Sequence, residues 1–163
     1  MQSETAPLGA RRFARTDLGN AERFVARRGG NVRYMPAWKK WLVFDGRRWA
    51  VDDTLGVVRM ATDTVRSIYL EARDLDGDAA KKEMVMHAVG SESEWRIRVM
   101  LTLVQAEPKI AITPVALDAD PMLLSCENGT IDLRTGQVRE HRREDLITKL
   151  VPAPYEPGAE APR

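Results

Sequence analysis

The sequence predicts an α+β fold, with a β-hairpin after an N-terminal helix, a central layer of helices and a β-rich C-terminal tail. Three observations carry this. Two β-prone runs, residues 41–44 and 47–51, flank Asp45-Gly46, a dipeptide suited to a tight turn. Apolar residues then recur at steps of three and four through residues 54–75, and helical patterns continue to about residue 106. After Pro108 short β-prone runs separated by glycine turns take over. Helices and strands segregated in this order fit an α+β layout. A chain of 163 residues, 44% hydrophobic, suits one domain with a real core.

Residues 1–15 read as a basic, flexible lead-in without apolar periodicity. Thr16 or Asp17 can cap a helix that buries Leu18, Ala21, Phe24 and Val25 and stops at Gly29-Gly30. Arg23, Arg27 and Arg28 fall on its other face. Residues 32–35 form a short strand, and the hairpin follows. Within it Trp41 and Val43 share one face and Leu42 and Phe44 the other. Trp41 and Trp49 are therefore expected mainly in the core, with Trp38 the most exposed.

One long helix is predicted over residues 54–74, with Val58, Ala61, Val65, Ile68, Ala72 and Leu75 as its apolar stripe. An acidic turn at residues 74–78 leads to a helix near residues 79–89. Ser91 and Glu94 read as a capping box that opens a helix using Trp95, Val99 and Leu103 and ending before Pro108. Strands are expected at residues 123–126, 130–133 and 137–140, and a last short element at 145–151. From Pro152 the Pro, Ala, Glu and Gly content reads as linker. The organisation is thus a lead-in over 1–15, a folded module over 16–151 and a linker over 152–163.

Several chemistries lack their residues. The chain contains no G-x-x-x-x-G-K-[ST] phosphate loop and no G-x-S-x-G element. His87 and His141 lack metal-ligand spacing, and Cys126 stands alone, which excludes an internal disulfide and a cysteine metal cluster. A lone thiol and the absence of a signal peptide or a ~20-residue apolar span fit a cytoplasmic protein. Asp118-Ala-Asp120 could hold a divalent ion, but Pro121 biases Asp120 toward an extended loop and no third acid is in register. Asp74, Asp76 and Asp78 lack the distal Glu of a calcium loop. No catalytic or metal-binding residue is assigned.

Charge gives the better lead. Residues 1–50 carry eleven Arg and Lys against four acids, a balance of +7 within a chain of net charge +1. Such asymmetry points to a polyanion partner. Arg and Lys neutralise phosphates while aromatic faces stack on unpaired bases. The candidate DNA-binding set is Arg23, Arg27, Arg28, Arg33, Trp38, Lys39, Lys40, Arg47 and Arg48.

Three stretches then resemble, in order, the module that precedes the superfamily 3 helicase domain in phage and plasmid primase–helicases, related to that of the poxvirus primase–helicase. They are Thr16-Asp-Leu-Gly-Asn-Ala-Glu-Arg-Phe-Val25, Trp41-Leu-Val-Phe-Asp-Gly-Arg-Arg-Trp49, and the run from Asp118-Ala-Asp-Pro through Glu127-Asn-Gly-Thr-Ile-Asp-Leu-Arg-Thr-Gly136. His141 and residues 145–149 resemble the family's usual end. Residues 124–127 depart mildly from its pattern, inside a turn.

The resemblance implies a parent that unwinds DNA as a ring-shaped ATPase, often with a primase domain upstream. ATP and magnesium belong to that helicase domain, whose residues are expected beyond Arg163, so no cofactor is assigned here. Single-stranded or forked DNA and sister subunits of the ring are the implied partners, with no membrane. The expected function is a non-catalytic module that contacts DNA and helps assemble the ring. The alternative is an oligomerisation collar without DNA contact.

Overall fold

In the computed structural model, which describes residues 13–158, the first helix, α1 (Asp17–Arg28), starts where Thr16 turns extended and its Oγ1 accepts from Gly19 N at 3.1 Å. The buried face of α1 presents Asn20, Ala21, Arg23 and Phe24, while Leu18 is 55% exposed. The expected stripe is therefore rotated, and a cation occupies part of it.

Strands β1 (Val32–Met35), β2 (Lys40–Phe44) and β3 (Trp49–Val51) form an antiparallel sheet in that order. Register pairs Val32 with Val43 and Phe44 with Trp49. The β2–β3 turn sits one residue later than expected. Asp45 N donates to Arg48 O at 3.0 Å, which leaves Gly46 and Arg47 at the centre, and only Gly46 has positive φ (+101°). Asp45 Oδ1 accepts from the N–H groups of Arg47 and Arg48, so Asp45 clamps the turn from outside.

Alternation along the strands decides what the sheet separates. Val32, Tyr34, Trp41 and Val43 face a helical core built on Phe24, Val57, Ala61, Val65, Met100 and Val104. Met35, Leu42, Phe44 and Trp49 face the opposite way, against Ile112, Leu117 and Leu146. Trp49 is only 1% exposed and Trp41 is half-buried, as the strand pattern predicted. Residues 110–112 pair in parallel with β1 at Tyr34, and Trp49 N donates to Ile147 O. Chain segments thus cover both edges of the sheet, which blunts their pairing capacity.

The expected single helix over residues 54–74 is two, α2 (Gly56–Arg66) and α3 (Ile68–Arg73). Ser67 makes the break: its N–H is shared between Asp63 O and Thr64 O, and its Oγ donates to Thr64 O at 2.7 Å. Val57 rather than Val58 faces the core, and Val58 is exposed. Helix α4 (Asp78–Ser91) follows the acidic turn, and α5 (Glu94–Gln105) is capped by Ser93, whose Oγ accepts from Arg96 N. Ser91 was the expected cap; it instead ends α4 and is buried. Trp95 is 69% exposed, and Met100, Leu101 and Val104 form the buried face of α5.

A second antiparallel sheet contains β4 (Leu123–Cys126), β5 (Gly129–Asp132) and β6 (Gln137–Arg139). His141 Nδ1 lies 3.2 Å from both Ser125 Oγ and Thr130 Oγ1, which ties the chain after β6 back over this sheet. Residues that read as linker continue the packing. Ala153 O accepts from Glu127 N, and Asn128 exchanges two hydrogen bonds with the backbone of Tyr155, just beyond the bridge from Val151 to Cys126. The result is an α+β architecture of five α-helices and two small sheets among the described residues. No described helix is long and apolar enough to cross a membrane.

Candidate nucleic-acid interface

The connection from α1 to β1 and the β2–β3 turn meet at one end of the first sheet, where Phe44 N donates to Asn31 O. Two arginines there are held by rings. The Arg33 guanidinium lies 4.7 Å from the Trp49 ring centroid and that of Arg143 5.7 Å from Phe44. The Phe44 and Trp49 rings are 5.7 Å apart, and Trp49 Nε1 donates to Arg143 O at 2.8 Å. The order Arg33, Trp49, Phe44, Arg143 makes a cation–aromatic ladder. An aromatic face orients a guanidinium without neutralising it. Burial lowers the Arg33 pKa from the ordinary arginine value; Glu144 opposes this and Arg143 adds to it.

Arg47 is exposed in the turn with no ion-pair partner among the described residues, and Arg27 is exposed at the last turn of α1. Arg28 and Arg48 stand 3.8 Å from Asp63 and Asp45, loose contacts on partly exposed side chains. The chain after β6 brings Arg143 to this end, with Glu144 facing Arg33 and Asp145 paired to Arg139. Arg33 Nη1 donates to Gly29 O and Val32 O and Arg48 Nη1 to Thr148 O, while Arg28 Nε, Asn31 Oδ1 and Arg48 Nε are buried without a hydrogen-bond partner among the described residues.

Lys39 and Lys40 lie at the opposite end of β2, beside Trp38, which is 50% exposed. Arg48 is level with Asp45, five positions from Lys40, so at ~3.3 Å per residue the two cationic corners are about 17 Å apart. Between them the outer face of the sheet carries a cleft of about 560 Å³. Leu42 and Trp49 form its floor, Pro114, Leu117 and Thr148 its far wall, and Trp38, Arg48 and Asp53 its rim.

A family model described as D5 N terminal like matches residues 21–163. The chain belongs to this D5 N-terminal-like family. The primase–helicase resemblance in its motifs therefore stands, and the domain is a primase–helicase-associated one. No curated protein matches the chain.

Within this D5 N-terminal-like domain the sequence candidates separate into three groups. Arg27, Arg33, Arg47 and Arg48 gather at one end of the sheet, with Arg28 beside them. Trp38, Lys39 and Lys40 mark the other end. Arg23 is at neither, which corrects its placement on a solvent face. It is fully buried, chelated by Glu71 through Nε and Nη2 at 2.9–3.0 Å, and donates to Ala14 O and Phe13 O. Its Nη1 also reaches Asn20 Oδ1. His87 Nε2 lies 3.0 Å from that same oxygen, which requires the Nε2–H tautomer, and Asn20 Nδ2 donates to Ser91 Oγ. Burial first, then Arg23 and Arg96, depress the His87 pKa against Asp17, which favours the neutral imidazole. This network joins α1, α3 and α4 and is structural.

The aspartates at 118 and 120 are committed too. Asp118, at φ +50°, accepts from Thr148 N and Oγ1 at 2.8 and 2.6 Å. Asp120 accepts a bidentate pair from Arg134 at 2.8 and 3.1 Å, and that hydrogen bonding lowers its pKa. No group of three or more His, Cys, Asp or Glu among the described residues could hold a metal ion.

Sequence reasoning missed Arg143. Glu140, Glu144 and Asp145 hid it in a locally balanced stretch, and only the fold carries it to the first sheet.

Proposed function

We propose that this domain is a non-catalytic, DNA-contacting and assembly module of a replicative primase–helicase, and that its phosphate-binding surface is the arginine end of the first sheet. The carrying observation is the ladder of Arg33 and Arg143 on Trp49 and Phe44, flanked by Arg27, Arg47 and Arg48. Guanidiniums held by rings keep their charge for an incoming phosphate, and each phosphate neutralised releases condensed counterions. ATP and magnesium are assigned to the motor of the parent protein and not to this domain.

Fluorescence anisotropy with labelled single-stranded and forked DNA, across salt concentrations, tests the reading. Affinity is expected to fall linearly on a log–log salt plot, and Arg47→Ala and Arg143→Ala are each expected to flatten the slope by about one. Salt-independent binding, or slopes unmoved in both variants, would refute the assignment.

A collar that assembles subunits without DNA contact is the second reading. Val85, Met86 and Val89 on α4 and Trp95 on α5 are exposed apolar side chains that favour it. Light scattering separates the two: a stable oligomer without DNA affinity supports the collar alone.

A further inference from the structure

The cleft on the outer face of the first sheet differs in chemistry from the arginine end. Its floor is apolar, from Leu42 and Trp49, and its rim combines one exposed indole, one guanidinium and one carboxylate. Asp53 is exposed and makes no hydrogen bond or ion pair among the described residues, unlike Asp118 on the same wall, which Thr148 saturates. Lys39 and Lys40 stand next to Trp38 without an acidic partner among the described residues. Arg47 and Arg48 close the far end of the strand, where Arg48 is level with Asp45, about 17 Å from Lys40 at ~3.3 Å per residue. At ~3.4 Å per stacked nucleotide this spans roughly five nucleotides of one strand.

From this arrangement we infer that the cleft holds one unpaired, amine-bearing nucleobase of a single strand laid between the two cationic corners. Trp38 supplies the stacking face. Asp53, an acceptor only, takes a hydrogen bond from the exocyclic amine of cytosine or adenine; thymine offers no donor at that position. The carboxylate also selects against a phosphate at this point, which leaves phosphates to Lys39, Lys40, Arg47 and Arg48. The cleft is thus a base site and the corners are backbone sites. The inference rests on the proposed DNA-contacting function and names its strand type and base preference.

The test measures anisotropy of the 163-residue chain with labelled oligo(dC), oligo(dT) and duplex of equal length. Trp38→Ala is expected to weaken single-strand binding about 5- to 150-fold, equivalent to the ~1–3 kcal/mol of one base–aromatic stack, with duplex binding unchanged. Trp38→Phe restores most of that loss, which separates stacking from folding damage. The wild type prefers oligo(dC) over oligo(dT), and Asp53→Asn, with an amide that donates as well as accepts, brings the ratio toward one. A wild type that binds DNA with the expected salt slope but is indifferent to Trp38→Ala overturns this inference and leaves the DNA reading standing. Equal losses on duplex and single strand overturn it likewise. A wild type that binds neither strand overturns both. A Trp38→Ala change that alters only the oligomeric state assigns the cleft to a protein contact.

Discussion

Replacing Arg23 with methionine keeps an unbranched stem as far as the Nε position and removes the buried guanidinium charge. The wild-type guanidinium is 0% exposed and makes contacts to Glu71, Ala14 O, Phe13 O and Asn20 Oδ1, with the Phe13 ring 5.3 Å away. Breaking a buried pair by removing one partner costs ~3–5 kcal/mol, because the other charge stays desolvated. Glu71 keeps 31% of its side chain in solvent, so water screens part of that penalty and the lower end applies, about 3 kcal/mol. With m near ~2 kcal/mol/M in urea for a domain of this size, the midpoint should fall by about 1.5 M in a circular dichroism titration. Arg23→Met combined with Glu71→Leu should lose less than Arg23→Met alone, since no unpaired carboxylate remains. A midpoint shift below about 0.5 M for the single variant, or a double variant whose losses simply add, would refute the reasoning.

Three further outcomes are expected. Gly19→Ala places a Cβ 2.1 Å from Ala14 O, a backbone atom that Arg23 also holds; it should cost about 1–3 kcal/mol and raise proteolysis near residue 14. Asp52 accepts from Gly56 N at 2.7 Å and Val57 N at 2.9 Å at the start of α2; Asp52→Ala should therefore cost about 1 kcal/mol by thermal melts at pH 7. Burial alone would raise the Asp52 pKa, but the N–H groups of Val57, Gly56 and Thr54 and the Thr54 hydroxyl together lower it. A folded-state value below the unfolded one means its stabilisation is complete above the ordinary carboxylate pKa and is lost as pH falls through the folded value, so the Asp52→Ala deficit should vanish in melts at acid pH. Asp120→Asn weakens a solvent-screened surface pair with Arg134 and should leave the melting temperature nearly unchanged, with magnesium shifting it in neither protein.

The hairpin strands were legible because period-two alternation is local, and the faces assigned to Trp41, Val43, Leu42 and Phe44 are those observed. The α+β class followed from the same kind of local reading. Helix faces were less legible. An arginine on α1 looked solvent-facing until Glu71, 48 residues away, supplied its counter-charge, and that distance has no sequence signature. Ser67 broke a helix through its own back-bonding while the apolar steps continued past it. Of the candidate interface, the cations of residues 27–48 were visible as a cluster, whereas Arg143 joined them only through the return of the chain to Trp49, 94 residues earlier.

That return also orders the way the domain can be made. The outer face of the first sheet, with Met35, Leu42 and Trp49, is complete once residue 51 is synthesised, but residues 112, 117 and 146 cover it. Until about a hundred further residues have emerged, a nascent chain carries an uncovered apolar wall and, beside Trp49, a strand edge awaiting Ile147. Long-range closure of this kind slows folding and prolongs exposure to aggregation. A version shortened to the helical layer, ending near residue 106, would lose Ile110 from its helical core and still precipitate through the sheet that its first fifty residues built.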